Sequence, residues 1–442
     1  MKKQLIVLFV MIFLSACQWN LDKVVLDCDL VDCVNGVCND NTGECECEDG
    51  WMGVLCDVLN LCEGVDCANG MSCNEGTGDC ECEDGYWGIN CDKEVITFEK
   101  TFGGSNHDNG YSVKQTIDGG FIITGSTKSY GNGLTDVYLL KTDANGNELW
   151  SKTFGGSSWD QGNSISQTID GGFIITGYYT TDYDRDVYLL KTDANGNELW
   201  SKTFGGNEND EVGSSVIQTT DNGFVIVGST ENYEDGDIYL IKTDSGGNEM
   251  WSETFGGSGD EKGRSVEETI DGGLIITGYT ESYGNVKRDV YLIKTDMNGD
   301  GVWSKTFGEE DYYENGLSVK QTIDGGFIIT GYGRSVYLIK TDINGNELWS
   351  REIGGLSDIG YSIDETIDGS FIVTGHTIYN ICLIKTDSDG NELWNKTFGE
   401  SDDDVGYFVK QTTDGGFIIT GRSSGNGSED VYLIKTDANG NL

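Results

Sequence analysis

The chain has 442 residues, with 65 glycines, no proline and a formal net charge of −47. Its 37% hydrophobic content is too high for a disordered chain, and its glycine content is too high for a helical protein. The charge argues against nucleic-acid binding, which needs Lys and Arg to neutralise phosphates, and the length is typical of about three domains.

The N-terminus has the features of an export signal. Lys2 and Lys3 precede an apolar run that is shorter than the ~20 residues needed to span a bilayer. The run ends in Leu14-Ser15-Ala16-Cys17, which resembles the lipobox of bacterial lipoproteins. The resemblance implies a signal peptide over 1–16, an acylated Cys17 and a lipid-anchored linker over 17–27, and Gln18 in place of Asp implies sorting to the outer membrane. We predict that the chain is exposed at the cell surface. The alternative is a free cysteine in an ordinary signal peptide.

Twelve of the 14 cysteines form two sets of six, each closing with C-x-C-x₂-G-aromatic-x₄-C. This spacing resembles EGF-like modules, predicted at 28–57 and 58–92. Segments this short need covalent cross-links to fold. Spacing alone leaves 15 connectivities per module, and a zinc site at the C-x-C pairs is the alternative. The family pairing implies the disulfides Cys28–Cys38, Cys33–Cys45, Cys47–Cys56, Cys62–Cys73, Cys67–Cys80 and Cys82–Cys91.

From residue 93 the chain repeats every 45–52 residues, a period that indicates a propeller or a solenoid. The first unit predicts four strands, A to D, at about 111–117, 121–124, 137–142 and 148–154. Asp118-Gly119 and Asn145-Gly146 predict the A–B and C–D turns, since both dipeptides favour tight hairpins without proline. A fold made only of sheets has few places for proline.

The number of repeats decides between the two architectures. Both turns occur seven times, but the strand D tryptophan occurs six times, and residues 96–104 match strand D with Phe98 in the tryptophan place. An N-terminal strand that completes the last sheet closes a ring and removes its open edges. We therefore predict an all-β fold, a seven-bladed β-propeller over 93–442.

The repeat resembles the β-propeller repeats of bacterial surface proteins and the tryptophan-docking motif of quinoprotein-type propellers. The motif here is one residue shorter, and the quinone-site residues of that family are not recognisable. The resemblance implies that each tryptophan packs between neighbouring blades. These tryptophans are Trp150, Trp200, Trp251, Trp303, Trp349 and Trp394.

The sequence offers little for catalysis. It has two histidines, in different repeats, and no G-x-S-x-G, H-E-x-x-H or P-loop motif. We predict no enzyme, no catalytic residues and no cofactor. The alternating oxygens of Asp143 to Asn147 suit calcium, but the same residues explain a hairpin turn, and we predict the turn with calcium as the alternative.

Acidic residues outside the repeated positions gather in the D–A loops, and the B–C loops on the same face carry tyrosines. We predict a non-enzymatic surface lipoprotein whose partner, a protein or a glycan and possibly a basic one, binds this face. The alternatives are a hydrated rim that only maintains solubility, a periplasmic scaffold for envelope assembly and a glycan-active enzyme. The candidate contact residues are Asp108, Asp160, Asp210, Asp260, Asp311, Asp358, Asp403, Trp159, Tyr183 and Tyr313.

Overall fold

A computed structural model describes residues 94–442 apart from 182–183, 207–208, 232–235, 286, 400–402 and 425–427, together with short strands nearer the N-terminus. The chain divides into two compact units, Met1–Glu94 and Val95–Leu442. Three two-stranded pairs are described in the first unit. They are β1 (Gly36–Cys38) with β2 (Cys45–Cys47), β3 (Trp51–Met52) with β4 (Val58–Leu59), and β5 (Tyr86–Trp87) with β6 (Lys93–Glu94). The predicted signal peptide, Cys17 and all the disulfides lie outside the residues whose side chains are described.

The second unit is a seven-bladed β-propeller, as predicted, and its described residues include no helix. Each blade is a four-stranded antiparallel sheet with strand A innermost and strand D outermost.

Blades 1 to 3 comprise β8 (Asp108–Gln115), β9 (Phe121–Thr127), β10 (Asp136–Thr142), β11 (Glu148–Phe154); β12 (Gln161–Gln167), β13 (Phe173–Thr181), β14 (Asp184–Thr192), β15 (Glu198–Phe204); and β16 (Asp210–Gln218), β17 (Phe224–Glu231), β18 (Ile238–Thr243), β19 (Glu249–Phe255). Blades 4 and 5 comprise β20 (Glu261–Glu268), β21 (Leu274–Thr280), β22 (Asp289–Thr295), β23 (Gly301–Phe307); and β24 (Asn315–Gln321), β25 (Phe327–Tyr332), β26 (Val336–Thr341), β27 (Glu347–Ile353). Blades 6 and 7 comprise β28 (Ile359–Glu365), β29 (Phe371–His376), β30 (Ile381–Thr386), β31 (Glu392–Phe398); and β32 (Val405–Gln411), β33 (Phe417–Ser423), β34 (Asp430–Thr436) with the N-terminal β7 (Phe98–Phe102).

The ring closes through the N-terminal strand, as predicted. Strand β7 pairs antiparallel with β34, with Phe98 opposite Lys435 and Phe102 opposite Val431. Because Lys435 lies beside the last C–D turn, the chain enters the propeller at the face formed by the A–B and C–D turns. The D–A and B–C loops form the opposite face, where the Tyr130 hydroxyl donates to the Gly103 carbonyl at 2.7 Å.

The turns explain the absence of proline. Gly119 adopts a left-handed conformation with φ of 82°, which glycine reaches without strain. At the C–D turn, one oxygen of Asp143 accepts the backbone N–H groups of Asn145 and Asn147 at 2.9 and 2.8 Å. The Asp143 carboxylate, which calcium binding would need, is therefore already engaged in the hairpin turn.

Strand A differs from its prediction at both ends. In blade 1 it covers Asp108–Gln115 rather than 111–117. It ends early because Thr116 already belongs to the turn, where its N–H donates to Gly120 and its carbonyl accepts from Gly119. It begins early because the strand contains a bulge, described below.

The strand D tryptophans pack between neighbouring blades. Ring centroids lie 5.9–6.5 Å apart in the pairs that join an outer strand to a phenylalanine of the next blade. Trp251 packs instead against a cluster that contains Leu274. The pairs are Phe98–Phe121, Trp150–Phe173, Trp200–Phe224, Trp303–Phe327, Trp349–Phe371 and Trp394–Phe417.

A lysine in strand C of every blade forms an ion pair with the aspartate of its own A–B turn. The N···O distances are 2.7–3.0 Å, and the lysine side chains are 3–13% exposed. Each pair joins the A–B turn to strand C of the same blade. The pairs are Lys141–Asp118, Lys191–Asp170, Lys242–Asp221, Lys294–Asp271, Lys340–Asp324, Lys385–Asp368 and Lys435–Asp414.

Removal of one of these carboxylates should destabilise the propeller. Asp221→Ala leaves the buried Lys242 ammonium without its counter-ion, and we expect a loss of about 1–3 kcal/mol at pH 7, less than for a fully buried pair because the aspartate is largely solvated. Although partial burial opposes it, hydrogen bonding from Lys242 and Thr219 lowers the pKa of Asp221 to about 2.

Because the pKa of Asp221 is lower in the folded state, its contribution is present above pH ~4 and is lost as the pH falls towards 2. Urea unfolding of wild type and Asp221→Ala should therefore differ at pH 7 and converge towards pH 2. Glu253→Ala, in an outer strand, is the matched control. An equal effect of Glu253→Ala would contradict the role of the ion pair.

Candidate functional site

A β-bulge in strand A presents one side chain per blade to the mouth of the central channel. In blade 1 the ladder passes from Gly110 opposite Gly125 directly to Ser112 opposite Thr124, which leaves Tyr111 as the extra residue. The same shift occurs in all seven blades. Bulges re-aim side chains and occur often beside functional sites.

The bulge residue varies while its neighbours repeat. Glycine precedes it in every blade, and serine follows it in six. The seven bulge residues are Tyr111, Asn163, Ser214, Arg264, Leu317, Tyr361 and Tyr407. A position that varies inside a near-identical scaffold is where a symmetric fold can acquire an asymmetric site.

These residues line a cavity of about 560 Å³ at the D–A/B–C face, here called the funnel. Its volume lies within the usual range for small-ligand sites, about 300–1,000 Å³. The described residues that line it include no Asp, Glu, His or Cys. The remaining lining residues are Gln161, Tyr178, Arg185, Val212, Asn315, Tyr332 and Ile359.

One wall of the funnel is aromatic. Tyr407 lies between Tyr111 and Tyr361, with ring centroids 5.1 and 5.3 Å away, and Tyr361 stacks on His376 at 5.7 Å. Burial raises the pKa of Tyr111 and Tyr361 above the ordinary value. The hydroxyl groups of this wall therefore remain protonated donors at physiological pH.

The opposite side carries arginines and amides. Arg185 lies over the Tyr178 ring at 4.8 Å, and Gln161 donates to Asn163 at 2.6 Å. Arg264 is different, because among the described residues its buried Nε atom has no hydrogen-bond partner. The Oδ1 atom of Asn315, in the next blade, is also unpartnered, and that residue is only 2% exposed.

The structure corrects three of the predicted contact residues. Asp108, Asp160 and Asp358 are buried at the start of strand A, so a partner cannot reach their carboxylates. They belong to a set of seven such acids, one per blade, here called the acid ring. Its members, each 5% exposed or less, are Asp108, Asp160, Glu211, Glu261, Glu314, Asp358 and Asp404.

The acid ring organises the loops. The Asp160 carboxylate accepts the N–H of Gly156 in its D–A loop at 2.6 Å and that of Thr180 in its B–C loop at 2.9 Å. Glu261 accepts from Gly257 and Ser282 at 2.8 and 3.0 Å. Buried carboxylates are stable when backbone donors satisfy them in this way.

The other predicted contact residues lie around the rim of the face. Asp311 and Asp403 are exposed, and Asp210 and Asp260 are half-buried. The Asp210 carboxylate accepts the Arg185 N–H at 3.1 Å, and Asp260 accepts the Tyr279 hydroxyl at 2.6 Å. Trp159 and Tyr313 are 43% and 57% exposed, and Tyr183 lies outside the described residues.

One acid of the ring should make stability depend on pH. Burial, with Asp289 nearby, raises the pKa of Glu314 to about 7, and one of its oxygens has no partner among the described residues. Because the pKa of Glu314 is higher in the folded state, its contribution is present below pH ~4 and is lost as the pH rises through 7. We expect Glu314→Gln to raise the melting temperature at pH 8 but not at pH 5.

The matched variant is Glu261→Gln, whose wild-type carboxylate is satisfied by Gly257, Thr280 and Ser282. It should lower the melting temperature at both pH values, because an amide cannot accept all of these bonds. Equal responses of the two variants across pH would contradict the assignment. Thermal melting by circular dichroism measures both.

Among the described residues, no three His, Cys, Asp or Glu side chains are grouped so that they could hold a metal ion. The same residues contain no helix with the length and hydrophobicity to cross a membrane.

Comparisons with known proteins address the two units separately. Residues 27–59 match the laminin EGF domain model, so an EGF-like module is present there. No curated protein matches the chain. Three solved structures are similar to the propeller. Sqt1 from Chaetomium thermophilum and the Dos1 propeller are each 14% identical over 78% of this chain, with 86% and 96% of their own chains covered and a TM-score of 0.48. A Bacteroides caccae protein of unknown function is 11% identical over 60% of this chain and 91% of its own, with a TM-score of 0.41.

Proposed function

We propose that the chain is a membrane-anchored, non-enzymatic binding protein that contacts a protein or glycan partner through the D–A/B–C face. The observation that carries this proposal is the funnel, where the repeats diverge and where aromatic, amide and guanidinium groups converge. The described lining residues include none of the carboxylate, imidazole or thiol groups that most general acid–base or nucleophilic catalysts need. This composition favours binding over hydrolysis.

The anchor is proposed from the N-terminal sequence. Cleavage before Cys17 and its acylation would attach the chain to the outer membrane, with the predicted EGF-like modules at 28–57 and 58–92 as the connecting stalk. Within the propeller, strand β7 begins at the A–B/C–D face. The D–A/B–C face is therefore at the other end of the closing strand.

Two experiments on cells test the anchor. We expect radioactive palmitate to label the wild-type chain but not Cys17→Ala, and external protease to degrade the wild-type chain on intact cells. An unlabelled wild type would overturn the lipid anchor. A labelled but protected chain would contradict surface exposure and would favour the periplasmic scaffold.

Partner capture tests the binding face. Intact partner-bearing cells or matrix should retain the full chain, and the combined rim variant Asp210→Asn, Asp311→Asn and Asp403→Asn should be retained less well. The control neutralises three acids at C–D turns of the opposite face, Asp143→Asn, Asp193→Asn and Asp244→Asn. If the control lost retention and the rim variant did not, the proposed face would be wrong.

A further inference from the structure

We infer that the funnel binds an acidic monosaccharide unit of a glycan, a sugar ring that carries a carboxylate. The inference rests on the proposed function and names the ligand class of the same face. Three independent features of the funnel define what the ligand must supply: an anion, a hydrogen-bond donor and a flat apolar face.

The anion is required by Arg264. Among the described residues its buried Nε atom has no hydrogen-bond partner. The Nε atom of Arg422 is also unpartnered, but that guanidinium pairs with Glu429 at 2.7 Å through another nitrogen. A buried donor of this kind is costly when it is left unsatisfied. A carboxylate fits the planar guanidinium fork and would satisfy it.

The donor is required by Asn315. Its Oδ1 atom accepts no hydrogen bond among the described residues, and the side chain is almost completely buried. The same is true of Asn109, its counterpart in blade 1, but of the two it is Asn315 that lines the funnel. A sugar hydroxyl can donate to this oxygen while the same ligand's carboxylate accepts from Arg264 on the adjacent blade. Inorganic phosphate at neutral pH offers acceptors and few donors, so it meets the Arg264 requirement better than the Asn315 requirement.

The apolar face is required by the aromatic wall. Tyr407 lies between Tyr111 and Tyr361, with centroid spacings of 5.1 and 5.3 Å and ring planes inclined by 56° and 65°, so each ring offers a face of its own. The C–H face of a sugar ring packs on the face of one such ring. The Tyr111 hydroxyl accepts from Ser126 at 3.4 Å and can still donate its own proton to the ligand. An acidic peptide would supply the carboxylate and a donor but no rigid flat face, so the wall favours the sugar.

The charge of the whole protein does not exclude an anionic ligand. Although the net charge is −47, the described residues that line the funnel include two arginines, Arg185 and Arg264, and no acid. The contacts that decide affinity are those with Arg264, Arg185 and the amides. A ligand carboxylate inside the funnel is therefore surrounded by arginine and amide groups, whereas the rim carries acids.

The test is titration calorimetry on the full chain in detergent micelles. The probes are digalacturonate, its neutral methyl ester, glutamyl-glutamate and inorganic phosphate. We expect digalacturonate to bind about 10- to 100-fold more tightly than the ester, as a charge-assisted hydrogen bond implies, and more tightly than the other two probes. Equal affinity for acid and ester, or tighter binding of the dipeptide or phosphate, would overturn the inference.

Variants locate the site. Arg264→Ala should weaken digalacturonate binding by the same ~10- to 100-fold while changing ester binding little, since the ester has no charge for the arginine to contact. Asn315→Ala and Tyr407→Ala should weaken both ligands. Arg351→Ala, in an outer strand and exposed, is the control and should change neither. An equal loss of acid and ester binding in Arg264→Ala would overturn the role of the anion, and thermal melts confirm that each variant is folded.

The two proposals fail separately. Absence of digalacturonate binding, with partner capture still dependent on the rim, would overturn the sugar and leave the binding face intact. Digalacturonate binding that depends on Arg264, with capture independent of the rim, would support the sugar and contradict the proposed contact of the partner with the rim.

Discussion

Gly177→Ala is expected to destabilise the propeller by at least about 3 kcal/mol, because there is no space for a methyl group. A Cβ atom at this position would lie 1.8 Å from the carbonyl oxygen of Gln161 on the paired strand. That oxygen is part of the backbone, so relief would require the strands to separate at the bulge that places Asn163 in the funnel.

The same blade supplies the control. Gly171 has a φ of 80°, but nothing lies within 4 Å of a Cβ added there. Gly171→Ala should therefore cost only the ~1–2 kcal/mol of a left-handed alanine. Urea unfolding of the two variants measures the difference. A smaller loss for Gly177→Ala than for Gly171→Ala would show that the bulge does not constrain the fold.

Trp200→Ala is expected to cost about 3 kcal/mol, the lower end of the range for large aromatic truncations, because its ring is only partly buried. The ring packs on Phe224 at 6.0 Å and covers Gly247 of the next blade, where an added Cβ would meet it at 2.5 Å. Its loss would open the contact between blades 2 and 3.

Phenylalanine is the conservative replacement for Trp200, because the closing strand β7 has phenylalanine at the equivalent position. Phe98 occupies the tryptophan place there and packs on Phe121 at 5.9 Å. Trp200→Phe should therefore retain most of the stability, with a loss of about 1 kcal/mol. If both substitutions at Trp200 had the same effect on thermal unfolding, packing between blades would not be the reason for the tryptophan.

The architecture could be predicted because its determinants are local and repeated. Asp118-Gly119 and Asn145-Gly146 specify hairpins at the same places in each unit, and the match of residues 96–104 to strand D indicated how the ring closes. The bulge could not be predicted in this way, because a glycine followed by Tyr111 and Ser112 is also compatible with a regular strand.

The site was only partly predictable. The D–A/B–C face was predicted as the binding face from its loop acids, but Asp108, Asp160 and Asp358 are buried. Buried carboxylates are rare. Their burial depends on hydrogen bonds from loop N–H groups, which the sequence does not reveal. The funnel did leave a signal: the residue between the repeated glycine and serine changes from Tyr111 to Arg264 to Leu317. Sorting positions by variation between repeats, rather than by charge, would have found it.

Site-specific photo-crosslinking in intact cells tests the central claim most directly. A photoreactive amino acid replaces Leu317 at the funnel in one strain, and Ile367, a 94% exposed residue of an A–B turn on the opposite face, in another. We predict that illumination links the full chain to a partner from position 317 and not from position 367. Crosslinks from position 367 alone, or equally from both positions, would contradict binding through the D–A/B–C face.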